Sequence, residues 1–469
     1  MKSAYSKVHP LAAMVIVALL LASVATVAVG TRAAADGELY PTWYLAEGSI
    51  AWGFTTYITI ENPNDSQVTV RVTYMPTSGA STHRDITMPA ESQTTIWGDV
   101  IWEDINGAKD FSTKVDCLDG KTICVDRTMT WTGPGAASEE GHSSVGVTAP
   151  ETTWYLPEGS SNWGFECWLL IQNPDATATA NCQVTYMKTD SAPVTKTHTV
   201  GPHSRATFSM QADVGSCDAS IKVESDIPVI PERAMYKNNR REGHDSIGVH
   251  NVWKNSYLAE GSTAWGFTTY VLIQNPNGFD NRVNVTYMTP SGAQTQPEFV
   301  MGAYTRKTIR VNDVLPNTDF STQVSGTDGA VIAERAMYWG AGTPLGEACH
   351  DSIGMTLPHS TFYLPDGWSG YTPVLEKTYE TWTLVQNPNS VPVEVRLTYL
   401  TYNGMGDQSV TATIPANSRK SFNMAAKITN NKAATKVECL TTGRKIMCER
   451  AMYWNNRGAG TDTIGGFSD

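Results

Sequence analysis

Two short stretches of the chain carry the residue types of a hydrolytic triad. His244-Asp245-Ser246 and His350-Asp351-Ser352 each supply a potential base, its orienting acid and a nucleophile. A working triad needs three converging side chains, whereas consecutive residues of a strand point to alternate sides. Two similar stretches, His142-Ser143-Ser144 and Thr461-Asp462-Thr463, lack the full set. We therefore predict a hydrogen-bonding role for these residues and no catalytic site.

A second recurring group places an acid directly before an arginine. Glu232-Arg233-Ala234-Met235-Tyr236 recurs at 334–338 and 449–453, and 126–130 is a diverged copy. Adjacent strand residues point to opposite faces, so this acid and arginine cannot form a catalytic pair with each other. We expect each Arg or Glu to form a structural ion pair with the acid of a motif that opens every copy. The predicted ion-pair residues are Glu47, Arg127, Glu158, Arg233, Glu260, Arg335, Asp366 and Arg450.

Tryptophan stands beside glycine in three loops. The loops read Trp52-Gly53-Phe54, Trp163-Gly164-Phe165 and Trp265-Gly266-Phe267. An exposed ring in such a loop could stack against a sugar or a partner's side chain, whereas a buried ring would fill the end of a domain or the joint between domains. The sequence favours the buried role. Trp52, Trp163 and Trp265 are still its candidate ligand-binding residues.

Eight cysteines in a chain with an export-like start predict disulfides before metal ligands. Cys117 and Cys124 flank an Asp-Gly turn, and Cys439 and Cys448 occupy the corresponding region near the end of the chain. Asp-Gly is typical of hairpins. We therefore expect each pair to form a bridge within one hairpin.

A third bridge is predicted between Cys167 and Cys182, which have the same inward parity on adjacent predicted strands. Cys217 and Cys349 then either pair with each other, stay free or cross-link molecules. No cysteines have the C-x-x-C spacing of a zinc site, and the Asn/Asp-rich corners lack the alternating acids of a calcium loop. No metal and no cofactor are predicted.

The residues above belong to four copies of one unit. The opening motif Trp43-Tyr44-Leu45-Ala46-Glu47-Gly48-Ser49 returns at 154–160, 256–262 and 362–368. A period near 105 residues matches an independent domain rather than a propeller blade or a solenoid turn. The predicted domains are 42–148, 153–249, 256–355 and 361–466.

Each unit is typical of an all-β fold. Val68-Thr69-Val70-Arg71-Val72-Thr73-Tyr74 alternates apolar and polar residues, as a strand with one solvated face does. About seven such strands per unit, separated by turns such as Asn62-Pro63-Asn64-Asp65, predict an immunoglobulin-like β-sandwich, with a closed barrel as the alternative. The short joins at 148–153 and 356–361 carry proline and threonine, so we expect a semi-rigid rod or a gently bent string of domains.

Residues 1–35 have the pattern of a signal peptide, with a basic start, an apolar run from 11 to 29 and small residues at 33–35. The apolar run is also long enough for an uncleaved membrane anchor. The net charge of −12 becomes −15 without the three basic residues of this segment. Such an acidic chain is not expected to bind nucleic acid. An extracellular or cell-surface location follows.

Three phrases together resemble a tandem repeat of exported proteins in actinobacteria and related bacteria. They are the opening motif with its Trp-Gly-Phe loop, the corner Gln274-Asn275-Pro276 and the strand Glu334-Arg335-Ala336-Met337-Tyr338. The resemblance covers residues 43 to about 466. It implies a cell-surface or secreted β-repeat array and assigns no residue a role.

Three functions are compatible with these patterns. The first is a non-catalytic structural or adhesive surface protein whose partners are other surface proteins. The second is a carbohydrate- or cell-wall-binding array in which several weak tryptophan sites add through avidity. The third, an enzyme, is the least favoured; its site would lie in the fourth unit, which diverges between Trp368 and Tyr379.

Overall fold

The computed structural model describes residues 39–373, 375–402 and 408–469. The predicted signal peptide, 1–35, lies outside the described residues. Within those ranges, no helix combines the length and the apolar character needed to cross a bilayer.

The first repeat consists of two antiparallel sheets and a short helix, Gly98–Asp104. Its strands are β1 (Thr42–Leu45), β2 (Thr55–Asn62), β3 (Val68–Pro76), β4 (Thr82–Met88), β5 (Ser92–Ile96), β6 (Phe111–Cys117), β7 (Cys124–Trp131) and β8 (Glu140–Val145). One sheet has the order β1-β6-β3-β4 and the other β5-β2-β7-β8. The first repeat thus has eight strands where about seven were predicted, and the opening motif itself forms β1.

The second and third repeats follow the same plan. The second contains β9 (Glu151–Leu156), β10 (Phe165–Asn173), β11 (Ala180–Lys188), β12 (Val194–Val200), β13 (Ser204–Ser209), β14 (Ala219–Lys237), β15 (Glu242–Ile247) and the helix Met210–Val214. The third contains β16 (Asn255–Leu258), β17 (Thr268–Gln274), β18 (Asn281–Thr289), β19 (Gly292–Thr295), β20 (Phe299–Met301), β21 (Arg306–Arg310), β22 (Ser321–Gly326), β23 (Ile332–Trp339), β24 (Ala348–Ile353) and the 3-10 turn Val311–Asp313. The long strand β14 pairs in both sheets of its repeat.

The fourth repeat has additional strands near its insertion and at its end. It contains β25 (Thr361–Leu364), β26 (Trp368–Thr372), β27 (Lys377–Asn387), β28 (Val393–Thr401), β29 (Gln408–Ile414), β30 (Ser418–Asn423), β31 (Asn431–Cys439), β32 (Met447–Trp454), β33 (Ala459–Ile464), β34 (Gly466–Ser468) and the 3-10 turn Met424–Ala426. Strand β26 pairs with β27 and β31, and β34 pairs with β25.

The predicted all-β sandwich is confirmed. In β3, Val68, Val70, Val72 and Tyr74 are buried and alternate with half-buried polar residues. In the third repeat, apolar side chains of β17 and of β18 belong to one buried cluster, although these strands lie in different sheets. Two sheets that bury one face against each other form a sandwich, not a closed barrel.

The Asn-Pro turns are corners between the sheets. Asn62 ends β2, and its side-chain amide donates to the backbone oxygens of Ser66 (3.0 Å) and Pro89 (2.6 Å). Asn64 in turn donates to the side-chain oxygen of Asn62 (2.7 Å). Buried amide hydrogen bonds of this kind satisfy backbone oxygens where the chain leaves one sheet for the other.

The predicted disulfides are wrong for the structure, in which all eight cysteines are free and described. Cys117 ends β6 and Cys124 begins β7, which belong to different sheets. The Asp-Gly turn therefore connects the sheets instead of closing a hairpin. Cys439 and Cys448 likewise lie on β31 and β32, which do not pair with each other.

Cys167 and Cys182 also lie on strands of opposite sheets, β10 and β11. The sulfur of Cys182 lies 3.6 Å from the hydroxyl of Ser225, and burial raises the pKa of Cys167 to about 12. Cys217 is half-buried in the second repeat and Cys349 buried in the third. These thiols therefore act as small core side chains.

The predicted rod is also wrong, because the first and fourth repeats contact each other. Strand β8 packs beside β15, β15 beside β24, β24 beside β33, and β33 beside β8. Residues of all four strands line one small cavity of about 10 Å³. The repeats thus form a closed cycle with four seams, a seam being the contact between two neighbouring repeats. Strand pairing stays within each repeat.

Candidate functional site

The loop tryptophans lie on tight turns that force them outward. In Ala51-Trp52-Gly53-Phe54, Trp52 and Gly53 have φ angles of 60° and 88°, and the Phe54 amide donates to the Ala51 oxygen (2.9 Å). This is the pattern of a type I′ turn, which glycine adopts readily and a bulky side chain rarely does. The turns at Trp163 (φ 56°) and Trp265 (φ 59°) match it.

These three indole rings do not fill a core. Trp52, Trp163 and Trp265 are 70%, 72% and 79% exposed. The phenylalanine that follows each turn is the residue that packs at the seam. Phe267, for example, lies 5.3 Å from Trp339 and 6.4 Å from Tyr453 of the fourth repeat, measured between ring centroids. The turn therefore leaves the tryptophan ring exposed to solvent and places the phenylalanine ring at the seam.

Each of two presented tryptophans borders a cleft whose opposite wall is another repeat. The cleft beside Trp163 has a volume of about 550 Å³, and Tyr270 of the third repeat lies on its far wall. The cleft beside Trp265 has a volume of about 360 Å³, with Trp382 of the fourth repeat opposite. These volumes lie in the range of small-ligand sites. Trp52 has the same turn, and Lys109 Nζ lies 5.0 Å from its ring centroid.

Polar groups surround the ring of Trp163. Asp218 accepts hydrogen bonds from Trp163 Nε1 (3.2 Å) and from Ser160 Oγ (2.6 Å). Arg306 lines the same cleft and donates from Nη2 to Thr308 Oγ1 (2.9 Å), while its buried Nε has no hydrogen-bond partner in the described part of the chain. Burial lowers the pKa of Arg306. The cleft therefore combines aromatic faces with directional donors and acceptors.

A buried ion cluster lies at the seam between the first two repeats. Arg127 Nη1 is 3.3 Å from Glu47 of its own repeat, as predicted. Its Nη2 contacts Glu232 and Asp245 of the second repeat, which the sequence did not predict. His142 Nδ1 lies 2.8 Å from Asp245 Oδ1. The guanidinium therefore joins two repeats.

The next two seams repeat this cluster. Arg233 lies 3.9 Å from Glu158 and contacts Glu334 and Asp351 of the third repeat. Arg335 lies 3.0 Å from Glu260, 2.9 Å from Glu449 and 3.2 Å from Asp462, of which the latter two belong to the fourth repeat. Each arginine is fully buried, so its interactions are screened little by water.

The histidines of the triad-like stretches complete these clusters. His244 Nδ1 lies 2.9 Å from Asp351 Oδ2, and its Nε2 lies 3.0 Å from the Tyr338 hydroxyl. Asp245 instead contacts Arg127 of the preceding repeat. His244 and Asp245 therefore make their contacts at different seams and do not form a proton relay. Burial lowers the pKa of His244 to about 4 and raises that of Glu334 to about 7.

Three of these sets have ligand types and spacings that could hold a metal ion. They are Glu47, His142 and Asp245; Glu158, His244 and Asp351; and Glu260, His350 and Asp462. In each set an arginine already contacts the aspartate. Its positive charge offsets the carboxylates as a metal ion would, so we assign these sets to structure.

The fourth seam, between the fourth and first repeats, departs from this pattern. Arg450 lies 3.3 Å from Asp126 of the first repeat and donates to Thr461 Oγ1 (2.7 Å), which replaces the histidine. Asp366, the predicted partner of Arg450, instead accepts from Thr128 Oγ1 (3.1 Å) of the first repeat. Within the described residues, Arg450 therefore pairs with an acid of the first repeat and not with Asp366.

At the fourth seam, the insertion of the fourth repeat fills the cleft that corresponds to those beside Trp163 and Trp265. Trp368 stacks on Tyr379 with ring centroids 4.8 Å apart and an angle of 6° between planes. The half-buried Lys432 Nζ lies 4.5 Å from the Trp368 ring and 5.0 Å from Trp97 of the first repeat. A cavity of only about 30 Å³ remains.

Comparisons with known proteins leave the family open. No family model and no curated protein matches the chain. Among solved structures, Thermotoga maritima 1070 is 22% identical and covers 22% of this chain and 96% of its own, with a TM-score of 0.20. The Anabaena sensory rhodopsin transducer is 18% identical and covers 19% of this chain and 98% of its own, with a TM-score of 0.16.

A tetra-tandem repeat from the extending region of a large adhesion protein is 12% identical over 87% of this chain and 93% of its own, with a TM-score of 0.11. At these TM-scores the similarities support no inference about fold or function.

Proposed function

We propose that this chain is a non-catalytic, secreted or cell-surface protein that binds carbohydrate through the tryptophan-bordered clefts between its repeats. The observation that carries the proposal is the type I′ turn of Trp163, which holds a bulky ring in left-handed backbone and 72% exposed. Backbone of this kind costs of the order of 1–3 kcal/mol and clusters at binding sites.

Saccharides fit the chemistry of the clefts. A pyranose has apolar C–H faces and a rim of hydroxyls, so it needs both an aromatic wall and polar groups at its edge. Trp163 and Tyr270 supply such walls, and Asp218 and Arg306 lie among the residues around them. The Lys237–Glu347 ion pair at 2.7 Å balances charge in the same cleft, which favours a neutral ligand.

Two clefts and a third presented tryptophan on one body favour avidity. A single shallow site of this size is expected to bind with a Kd of about 1 mM, or about −4 kcal/mol. Linked sites that reach the same polymer bind more tightly by a factor of about 100 or more without new contacts. A glycan-bearing surface or a cell-wall polysaccharide is therefore the expected partner.

The test compares binding by two sets of variants of the full chain. Trp52→Ala, Trp163→Ala and Trp265→Ala combined are expected to abolish retention on immobilised cell-wall polysaccharide or on a glycan array. Trp102→Ala with Trp253→Ala is the matched control, because both rings are 53% exposed and neither borders the clefts of Trp163 and Trp265.

Equal binding by both sets would contradict the proposal. It would instead support the purely structural or adhesive role that the sequence favoured. The outcome is interpretable only if the triple variant melts at or above the temperature of the parent, which the exposure of its rings leads us to expect.

A further inference from the structure

A buried glutamine donates a hydrogen bond across each of three seams. Gln172 Nε2 donates to Thr113 O (3.2 Å), Gln274 Nε2 to Ile221 O (3.3 Å) and Gln386 Nε2 to Thr322 O (3.3 Å). In every case the acceptor belongs to the preceding repeat. All three glutamines are fully buried. The amide therefore satisfies a backbone oxygen that water does not reach.

Glu61 stands at this position in the first repeat. It directly precedes Asn62 in β2, as the glutamines precede the asparagine of their own corners, and it is fully buried. Among the described residues, neither of its carboxyl oxygens has a hydrogen-bond partner. A protonated carboxyl can donate as an amide does, whereas a carboxylate has acceptors only. In this environment an ionised Glu61 would be a buried, uncompensated charge.

Four titratable groups face Glu61. Cys124 and Asp126 lie on β7 of its own repeat, and Lys436 on β31 and Tyr363 on β25 belong to the fourth repeat. Lys436 is partly engaged elsewhere, since its Nζ lies 3.2 Å from Glu438. Burial raises the pKa of Glu61 from 4.5 to about 8, against the opposing effect of Lys436.

We infer that Glu61 makes the seam between the fourth and first repeats a pH-sensitive joint, which tolerates the buried carboxyl while it is protonated and loosens when that carboxyl ionises. The other three seams carry an amide at this position and lack the switch. The inference does not depend on carbohydrate binding.

The direction of the effect follows from linkage. Below pH 4.5 the carboxyl is protonated in both the folded and the unfolded chain, so ionisation has no effect on stability. Between pH 4.5 and about 8 the unfolded chain loses the proton and the folded chain keeps it, so stability falls as the pH rises. Above that window both are ionised, and the loss reaches a plateau.

The seam between the fourth and first repeats lacks two groups that stabilise other seams, so the repeats should separate there first. It lacks the histidine of the other clusters, which is replaced by Thr461. It also lacks the arginine that clamps backbone oxygens at the third seam, where Arg419 Nη1 donates to Gly261 O (2.9 Å) and Phe320 O (3.0 Å). Gln93 occupies the corresponding position in β5.

The experiment compares wild type and Glu61→Gln over pH 5 to 9 in the full chain. We expect the melting temperature of Glu61→Gln to exceed that of wild type by a margin that is smallest at pH 5, grows towards pH 8 and then stays constant. Hydrogen exchange, corrected for its intrinsic pH dependence, should show wild type losing protection with rising pH in β2 and β25 before the corresponding strands of other seams.

Gln274→Glu is the reciprocal variant, because it places the same carboxyl at the second seam. It should acquire a new loss of stability over the same pH window. A margin between Glu61→Gln and wild type that does not change with pH would overturn the inference, even if Gln274→Glu does not fold. Loss of exchange protection spread evenly over all four seams would overturn it as well.

Discussion

Glu232 and Arg233 are neighbours in the chain but bind different repeats. Glu232 contacts Arg127 of the first repeat, and Arg233 contacts Glu334 of the third. Because adjacent strand residues point to opposite faces, one strand presents an acid to the repeat before it and a base to the repeat after it. Contacts of this head-to-tail kind close into a cycle when the rotation between units allows it.

Removal of one of these arginines should destabilise the chain strongly. Arg233→Met leaves Glu158, Glu334 and Asp351 buried without their cation, which typically costs about 3–5 kcal/mol. Chemical denaturation measures the loss. The matched control is Arg240→Met, whose ion pair with Glu166 is 38% and 40% exposed and should contribute at most about 1 kcal/mol. Similar losses in both variants would show that the clusters do not hold the seams.

Acid should weaken the chain through its buried histidines. His244 has a pKa of about 4 when folded and 6.5 as its ordinary value, so below pH 6.5 the unfolded chain binds a proton that the folded chain does not. Stability is therefore lost as the pH falls from 6.5 to about 4, by a few kcal/mol at most. His244→Gln should flatten the stability profile in that window, whereas the exposed His83→Gln should leave it unchanged.

The left-handed backbone at the turn tryptophans should lower the stability of the fold while exposing the rings for saccharide binding. Asparagine tolerates left-handed backbone, so Trp163→Asn should stabilise the fold by about 1 kcal/mol while weakening saccharide retention. Trp154→Ala, which removes a fully buried ring nine residues earlier, should instead cost about 3–5 kcal/mol. Thermal melts and a retention assay on the same preparations separate these effects. A destabilised Trp163→Asn would show that its ring supports the fold.

A chain that ends after the third repeat should not behave as a stable monomer. Truncation at residue 355 uncovers Arg335 and Phe267 at one end and Asp126 at the other, all of which contact or face the fourth repeat. Light scattering should show self-association through these complementary ends, and denaturation should show lower stability. A monomer as stable as the full chain would contradict the closed cycle.

The sequence predicted the strands and contacts within a repeat better than the contacts between repeats. Alternation in 68–74 predicted the inward face of β3, and charges that recur in every copy predicted the contact of Arg127 with Glu47. Alternation states which side a residue faces but not what stands there, so Glu232 and Asp245 could not be assigned to Arg127. The one available signal was the adjacent, opposite charges of Glu232 and Arg233 in every copy.

The errors have physical causes as well. Proline and threonine in the joins indicate extended backbone, but they do not fix the angle between repeats, so a rod and a cycle were equally compatible with them. Cys117 and Cys124 flank a hairpin-type turn that connects two sheets instead. The tryptophan rings were assigned to burial because of their size, whereas Gly53, Gly164 and Gly266 signalled the turns that expose them.

The filled cleft beside Trp368 has a consequence for folding. Four similar modules joined head to tail could dock in the wrong order or exchange partners between chains, a known failure of repeat proteins. Lys432 and Asp366 of the last module contact Trp97 and Thr128 of the first. The distinct contacts at the seam between the fourth and first repeats pair these two repeats with each other. They therefore favour one order of the four repeats in the cycle over alternatives of similar energy.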